Sequence, residues 1–259
     1  MAVDLRPIDV ERDHIESLIE EKQSEGAADS TINMYLRGWR AFFNWLHNEG
    51  FIVDNPMANV KLIKAEKRVI QTFSKTQVKR LLDTPNRKTF TGYRDYVLML
   101  LLLDTGVRIT EAEGIRTTDI DWANHTIKVF GKGRKERFVP FQGTLEKHLR
   151  EYISIRGVLP HDFLFVNIDD GPLKKRTMQQ EIAKYGAAAG IKDVRVSPHT
   201  FRHTFAKLYV MNGGDPFSLQ KILGHTSLEI VRVYVNLFGT DVAKQHRKFS
   251  PLEHLDDGD

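Results

Sequence analysis

Six residues in this chain have types and spacings suited to chemistry on a phosphodiester: Arg108, Lys132, His199, Arg202, His225 and Tyr234. His199 and Arg202 stand three apart after Pro198, so a helix starting there would project imidazole and guanidinium from one face, over a phosphate-sized spot. Two arginines are suited to forking the non-bridging oxygens of a phosphate and holding the charge of its transition state. Tyrosine is a poor nucleophile near neutral pH unless a base takes its proton, and His199 or His225 could be that base. A lysine can protonate a departing alkoxide. The set is adequate for phosphoryl transfer without a metal, through a covalent phosphotyrosine. Taken singly, each piece has an ordinary reading: a lone histidine is usually hydrogen-bonded structure, and a tyrosine among Ile230, Val231, Val233 and Val235 is usually core.

These residues need elements to bring them together. A helix starting at Pro198 would carry His199 and Arg202. Asp215-Pro216 caps the next short helix, which stops at Leu223-Gly224 and puts His225 at a corner. Ser227 can cap one more, carrying Tyr234 about two turns along. Upstream, Ser74 and Gln77 form a capping box before Val78, Leu81 and Leu82. Residues 93–103 read as a buried helix stopped at Asp104-Thr105-Gly106, directly before Arg108. One or two helical turns over 109–114 follow. Residues 126–130 and 137–141 read as a hairpin with Lys132 in its turn. Helices over 144–155 and 178–189 flank a short strand at 163–166.

The N-terminal part is expected to be helical and separate. Residues 9–23 place Ile15, Leu18 and Ile19 on one stripe, opposite glutamates. A stronger helix carries Ile32, Tyr35, Leu36, Trp39, Phe42, Phe43 and Leu46 as a core stripe and ends at Gly50. Asp54-Asn55-Pro56 is expected to start a short further helix, and the basic stretch 61–72 reads as the region between domains. The expected division is 1–68, a linker at 69–73, and 74–259.

Bulk numbers agree with two soluble domains. The 259 residues are 41% hydrophobic and 28% charged, the profile of an ordinary globular protein. No cysteine is present, which excludes disulfides and thiolate chemistry. The longest apolar run, 96–103, is too short to span a bilayer, and the first residues lack a secretory pattern, so a cytoplasmic protein is expected. A net charge of +4 leans towards an acidic partner. Residues 1–68 hold nine Lys/Arg and twelve Asp/Glu, nine of the acids at or before Asp29, while Arg37, Arg40, Lys61 and Lys64 follow as candidate phosphate contacts. His199 and His203 have the spacing of a helical zinc pair, but no Glu lies between them and Arg202 would bring positive charge to a cation, so no metal is expected.

The arrangement resembles the tyrosine recombinase superfamily, the phage-integrase and chromosome-dimer-resolution type. Thr105-Gly106-Val107-Arg108-Ile109-Thr110-Glu111 looks like its first arginine motif, and Gly131-Lys132-Gly133-Arg134-Lys135-Glu136-Arg137 like its hairpin lysine motif. Pro198-His199-Thr200-Phe201-Arg202-His203 looks like its His-x-x-Arg box, and Leu223-Gly224-His225 with Tyr234 like its second histidine and nucleophile. The likeness spans residues 74–240. Val231 and Asn236 depart from a threonine and a histidine frequent around the nucleophile.

The resemblance implies a mainly α fold with a small antiparallel sheet: a helical core-binding domain that clamps DNA, and an α+β catalytic domain shared with type IB topoisomerases. It implies a site-specific recombinase of double-stranded DNA in which Tyr234 attacks the scissile phosphate to give a 3′-phosphotyrosyl link. Arg108 and Arg202 would hold the phosphate, Lys132 would protonate the 5′-oxygen, His199 would serve the tyrosine as acid and base, and His225 would bond the phosphate. No ATP, metal or other cofactor is implied. A homo-tetramer or mixed tetramer on paired sites is implied, with the tail over 241–255 exchanged between subunits, although plain fraying is an equal alternative for that tail. If the protein begins at residue 1, no arm-binding domain is expected, and a protein unlike the integrases that need accessory sites is expected. Two alternatives stand: a type IB-like topoisomerase acting alone, and a DNA-binding protein without catalysis, whose signature would be a broken catalytic set.

Overall fold

The computed structural model describes residues 6–64, 70–131, 133 and 135–224. The chain divides into two compact units, Met1–Val69 and Ile70–Asp259.

The first unit is built on two helices, α1 (Arg12–Ser24) and α2 (Asp29–Asn48). Helical periodicity buries Ile32, Leu36, Phe43 and Leu46 of α2 against Ile15, Met57 and Val60, with Trp39 packed at the edge. Tyr35 and Phe42, placed in the core stripe by sequence, are exposed instead, stacking on Trp39 and meeting Trp45. The stripe holds more apolar residues than one small facing helix can cover. The helix expected after Asn55 is absent: Asn55 bonds the N–H of Met57 at 2.9 Å in an Asx turn, and turns occupy the segment. Asn33 then pins Ile63 by both its amide groups, at 2.8 and 2.9 Å, so residues 60–63 run back along α2.

The second unit is organised around α4 (Phe90–Thr105), buried on nearly every side and packed by α6 (Gly143–Arg156), α7 (Lys175–Ala188) and α8 (Pro198–Met211). A helix so enclosed must pair its polar groups: Arg94 bonds Asp95 at 2.8 Å, and Tyr185 donates to Asp95 at 3.0 Å. Burial nonetheless pushes the Asp95 carboxyl up from its ordinary value. α3 (Lys75–Asp83) starts at a capping box in which Ser74 and Gln77 bond each other's backbone N–H. Ahead of it, Phe73 is fully buried against Phe201 and donates its N–H to Thr204 at 2.9 Å, while Ile70 packs on α8 and α9 (Pro216–Leu223).

Three strands form one antiparallel sheet in the order β1 (Ile120–Asp121), β2 (Thr126–Phe130), β3 (Glu136–Pro140), with Ile127 opposite Val139 and Phe130 opposite Glu136. Gly131 closes the β2–β3 hairpin with a 2.8 Å bond to the Lys135 carbonyl. The strand expected at 163–166 reduces to two isolated bridges, Arg116 with Phe163 and Val166 with Pro172, because neither neighbour extends long enough to pair further. The fold is thus mainly α with a small antiparallel sheet. Among the described residues no helix is long and apolar enough to cross a membrane.

Candidate active site

The site forms where α4, α5 (Ile109–Gly114), β3, α8 and α9 end on one another. α4 terminates at Gly106 in the left-handed conformation, φ +61°. A Cβ there would lie 2.4 Å from Phe205, so glycine is required both for the turn and for the approach of α8. Val107 is buried, and Arg108 follows as the residue preceding α5. Glu111, one turn on, reaches back and accepts the Arg108 N–H at 2.7 Å and its Nη1 at 3.0 Å.

α8 starts at Ser197, whose Oγ accepts the Thr200 N–H, with Pro198 at the first helical position. His199 therefore stands exposed on the first turn, while Arg202, one turn later, is buried. The Arg202 guanidinium bridges two elements: Nη1 donates to the Gly106 carbonyl at 2.6 Å and Nη2 to the Leu223 carbonyl at 2.7 Å. Arg108 approaches the same Leu223 oxygen at 3.5 Å. Two of the arginines singled out by sequence, 94 positions apart, thus converge on the carbonyl end of α9, where the unpaired carbonyls and the helix dipole favour positive charge. α9 is capped by Asp215, which accepts from Phe217 and Ser218, and it ends at Gly224 with φ +63°. His225 is the next residue in sequence.

Two further residues belong to this arrangement and were given no role by sequence reasoning. The Glu111 side chain is almost wholly buried, and Arg137 of β3 clasps it with both terminal nitrogens, at 2.7 and 2.8 Å, while its Nε donates to the Ile222 carbonyl at 2.8 Å. Burial by itself would push the Glu111 carboxyl up, but the bonds from Arg137 and Arg108 outweigh it and hold the pKa below its ordinary value. The spacing of Glu111 three after Arg108 is the sequence signal of a side chain reaching back to a helix start. Arg137 has no such signal, since its partners lie 26 and 85 positions away.

Beside the arginines, His203 is half-buried, and burial, then the neighbouring His199 and Arg202, push its pKa below the ordinary value. Lys132, His225 and Tyr234 lie outside the described residues. Gly133, in the hairpin turn next to Lys132 in sequence, has φ +74°. In the first unit Arg37, Lys61 and Lys64 are exposed, whereas Arg40 donates to the Val60 carbonyl. Helical spacing puts Arg37 on the same side of α2 as Asn33 and Arg40, beside the returning segment that carries the two lysines. Among the described residues no group of three or more His, Cys, Asp or Glu is placed to hold a metal ion.

A helical unit packed around α4 with a small three-stranded sheet, in which arginines from the start of α5 and from α8 meet at the end of α9, defines a class: the chain belongs to the phage integrase family, whose sequence model matches residues 71–240. Its relatives include the tyrosine recombinase XerC of Thermodesulfovibrio yellowstonii, 30% identical over 98% of this chain and 86% of that one. The tyrosine recombinase XerD of Staphylococcus haemolyticus is 30% identical over 93% and 83%. Among solved structures, XerH site-specific recombinase bound to palindromic difH substrate superposes with a TM-score of 0.77 at 20% identity, covering 95% of this chain and 73% of that one. A lambda integrase dimer bound to a COC′ core site gives 0.75 at 18%, covering 88% and 83%. At these identities the structural likeness speaks for the fold.

Proposed function

We propose that this tyrosine recombinase, a site-specific DNA recombinase by its family, cuts and rejoins duplex DNA through a 3′-phosphotyrosyl intermediate. The observation that carries the reading is the convergence of Arg108 and Arg202 at the end of α9, the helix that leads in sequence into His225 and Tyr234. In the proposed step the Tyr234 phenol oxygen bonds to the scissile phosphorus as the bond to the 5′-oxygen breaks. His199 takes the phenol proton, Lys132 gives one to the departing 5′-oxygen, and the two arginines with His225 hold the extra negative charge. The 5′-hydroxyl of a partner strand then reverses the step, and the phosphodiester energy is conserved in the tyrosyl ester.

The partner is double-stranded DNA, gripped by the second unit at the site and by the first through Arg37, Lys61 and Lys64. The working assembly is a tetramer of identical or mixed subunits on paired sites, with residues 241–255 exchanged between neighbours. The compartment is the cytoplasm. No metal, ATP or other cofactor enters the proposed chemistry.

A nicked duplex carrying a site first located by footprinting on genomic fragments, which loses its short cleaved fragment and traps the covalent adduct, tests this directly. Adduct is expected in the presence of a chelator, and its absence there would overturn the reading. Arg108→Lys should bind the duplex yet cleave it at least about 10²-fold more slowly, because a point charge does not reproduce the fork. Unchanged cleavage by that variant would remove Arg108 from the chemistry.

A further inference from the structure

Arg137 lies on the third strand of the sheet, yet all three of its guanidinium nitrogens point at other elements: two at the Glu111 carboxylate and one at the Ile222 carbonyl. Its stem also closes over the α9 exit, since a Cβ on Gly224 would lie 2.9 Å from Arg137 Cδ. Arg137 is itself largely buried, with 14% of its side chain exposed against 37% for Arg108. The carboxylate between the two arginines presents a problem for any anion-binding role of Arg108. A buried Glu111 facing Arg108 alone would cancel its charge and hold its Nη1 on the carboxylate. With Arg137 clasping the same carboxylate on both oxygens, the trio keeps one net positive charge, and Arg108 is the member that reaches the surface.

We propose that Arg137 is a positioning residue for Arg108: it takes up the charge of Glu111 and ties that carboxylate to the carbonyl end of α9, leaving Arg108 positive towards the scissile phosphate. This rests on the recombinase reading above. Arg137 touches no reacting atom and acts through Glu111 and the α9 end. Its strand is also the returning arm of the β2–β3 hairpin, where Arg137 lies opposite Val129 near the turn, so one side chain fixes the turn end of that hairpin to the helix preceding His225 in sequence.

The test is single-turnover cleavage of the nicked duplex at saturating protein, with DNA affinity and thermal melting measured on the same preparations. Arg137→Gln should cleave about 10- to 100-fold more slowly with affinity changed less than about threefold, because the uncancelled carboxylate now neutralises Arg108. Arg137→Lys, which keeps the charge without the fork, should fall between, and it carries the test if the glutamine variant melts below the assay temperature. The distinguishing arm is Arg137→Gln combined with Glu111→Gln. Removing the carboxylate returns the charge of Arg108, so the double variant should recover severalfold over Arg137→Gln alone. A merely structural Arg137 predicts the reverse, a further loss on removing a second partner, and that result overturns the proposal. So does cleavage by Arg137→Gln within twofold of the unmodified protein. Failure of the unmodified protein to form adduct would instead count against the recombinase chemistry.

Discussion

The two units use arginine in opposite ways. In the second, Arg108, Arg137 and Arg202 are each held by two or more protein acceptors, and their geometry is set before any DNA arrives. In the first, the arginine offered to DNA, Arg37, is exposed beside Lys61 and Lys64, while Arg40 donates to the Val60 carbonyl and Arg6 and Arg12 pair with Asp9 and Glu16. Chemistry at a phosphorus gains from charges that need no reorganisation at the moment of reaction. Grip on a polyanion gains from charges that stay solvated and move to meet it. Substitutions in the second unit should therefore alter rate and folding together, and those in the first should alter affinity and its salt dependence alone.

The largest effect is expected at Arg202. Arg202→Lys leaves the Gly106 and Leu223 carbonyls sharing one ammonium in a buried site. Cleavage should drop by at least about 10²-fold and stability by about 1–3 kcal/mol, read from single-turnover rates and denaturant midpoints. Loss of rate with an unchanged midpoint would show that the two carbonyl bonds contribute nothing to the fold.

A smaller effect separates the units by pH. His203 has a folded-state pKa below its ordinary value of 6.5, so the unfolded chain binds the proton more readily. Stability contributed there is full above pH 6.5 and falls as pH drops from 6.5 towards the lowered value. His203→Gln should flatten the melting profile over that window in the second unit; an unchanged slope would mean that His203 is solvated. The smallest effect is expected in the first unit: Arg37→Ala and Lys61→Ala should each reduce the slope of log affinity against log salt by about one, with cleavage at saturation unaltered. A change in the saturated rate would break the contrast.

Much of this was legible because it is local. The stop of α4 at Gly106, the start of α8 at Pro198, the cap at Asp215 and the turn at Gly224 all depend on residues within four positions of one another. The misread segments are those decided at a distance. The strand expected at 163–166 needed partners that the sheet does not supply, and Asn55 closes an Asx turn where a helix start was expected. Tyr35 and Phe42 fit the helical period of α2 but not the small surface available to cover it. The Glu111–Arg137 clasp was invisible for the same reason: its partners come from α5 and β3, and only the folded chain brings them together.

The central claim, that Tyr234 is the nucleophile of a metal-free reaction, is tested most directly by incubating the nicked duplex with the protein and with Tyr234→Phe in chelator, then sequencing the adducted peptide. The account predicts a covalent adduct on the peptide containing Tyr234 and none with the phenylalanine variant at equal DNA occupancy. An adduct that survives Tyr234→Phe, or maps to another residue, would contradict it.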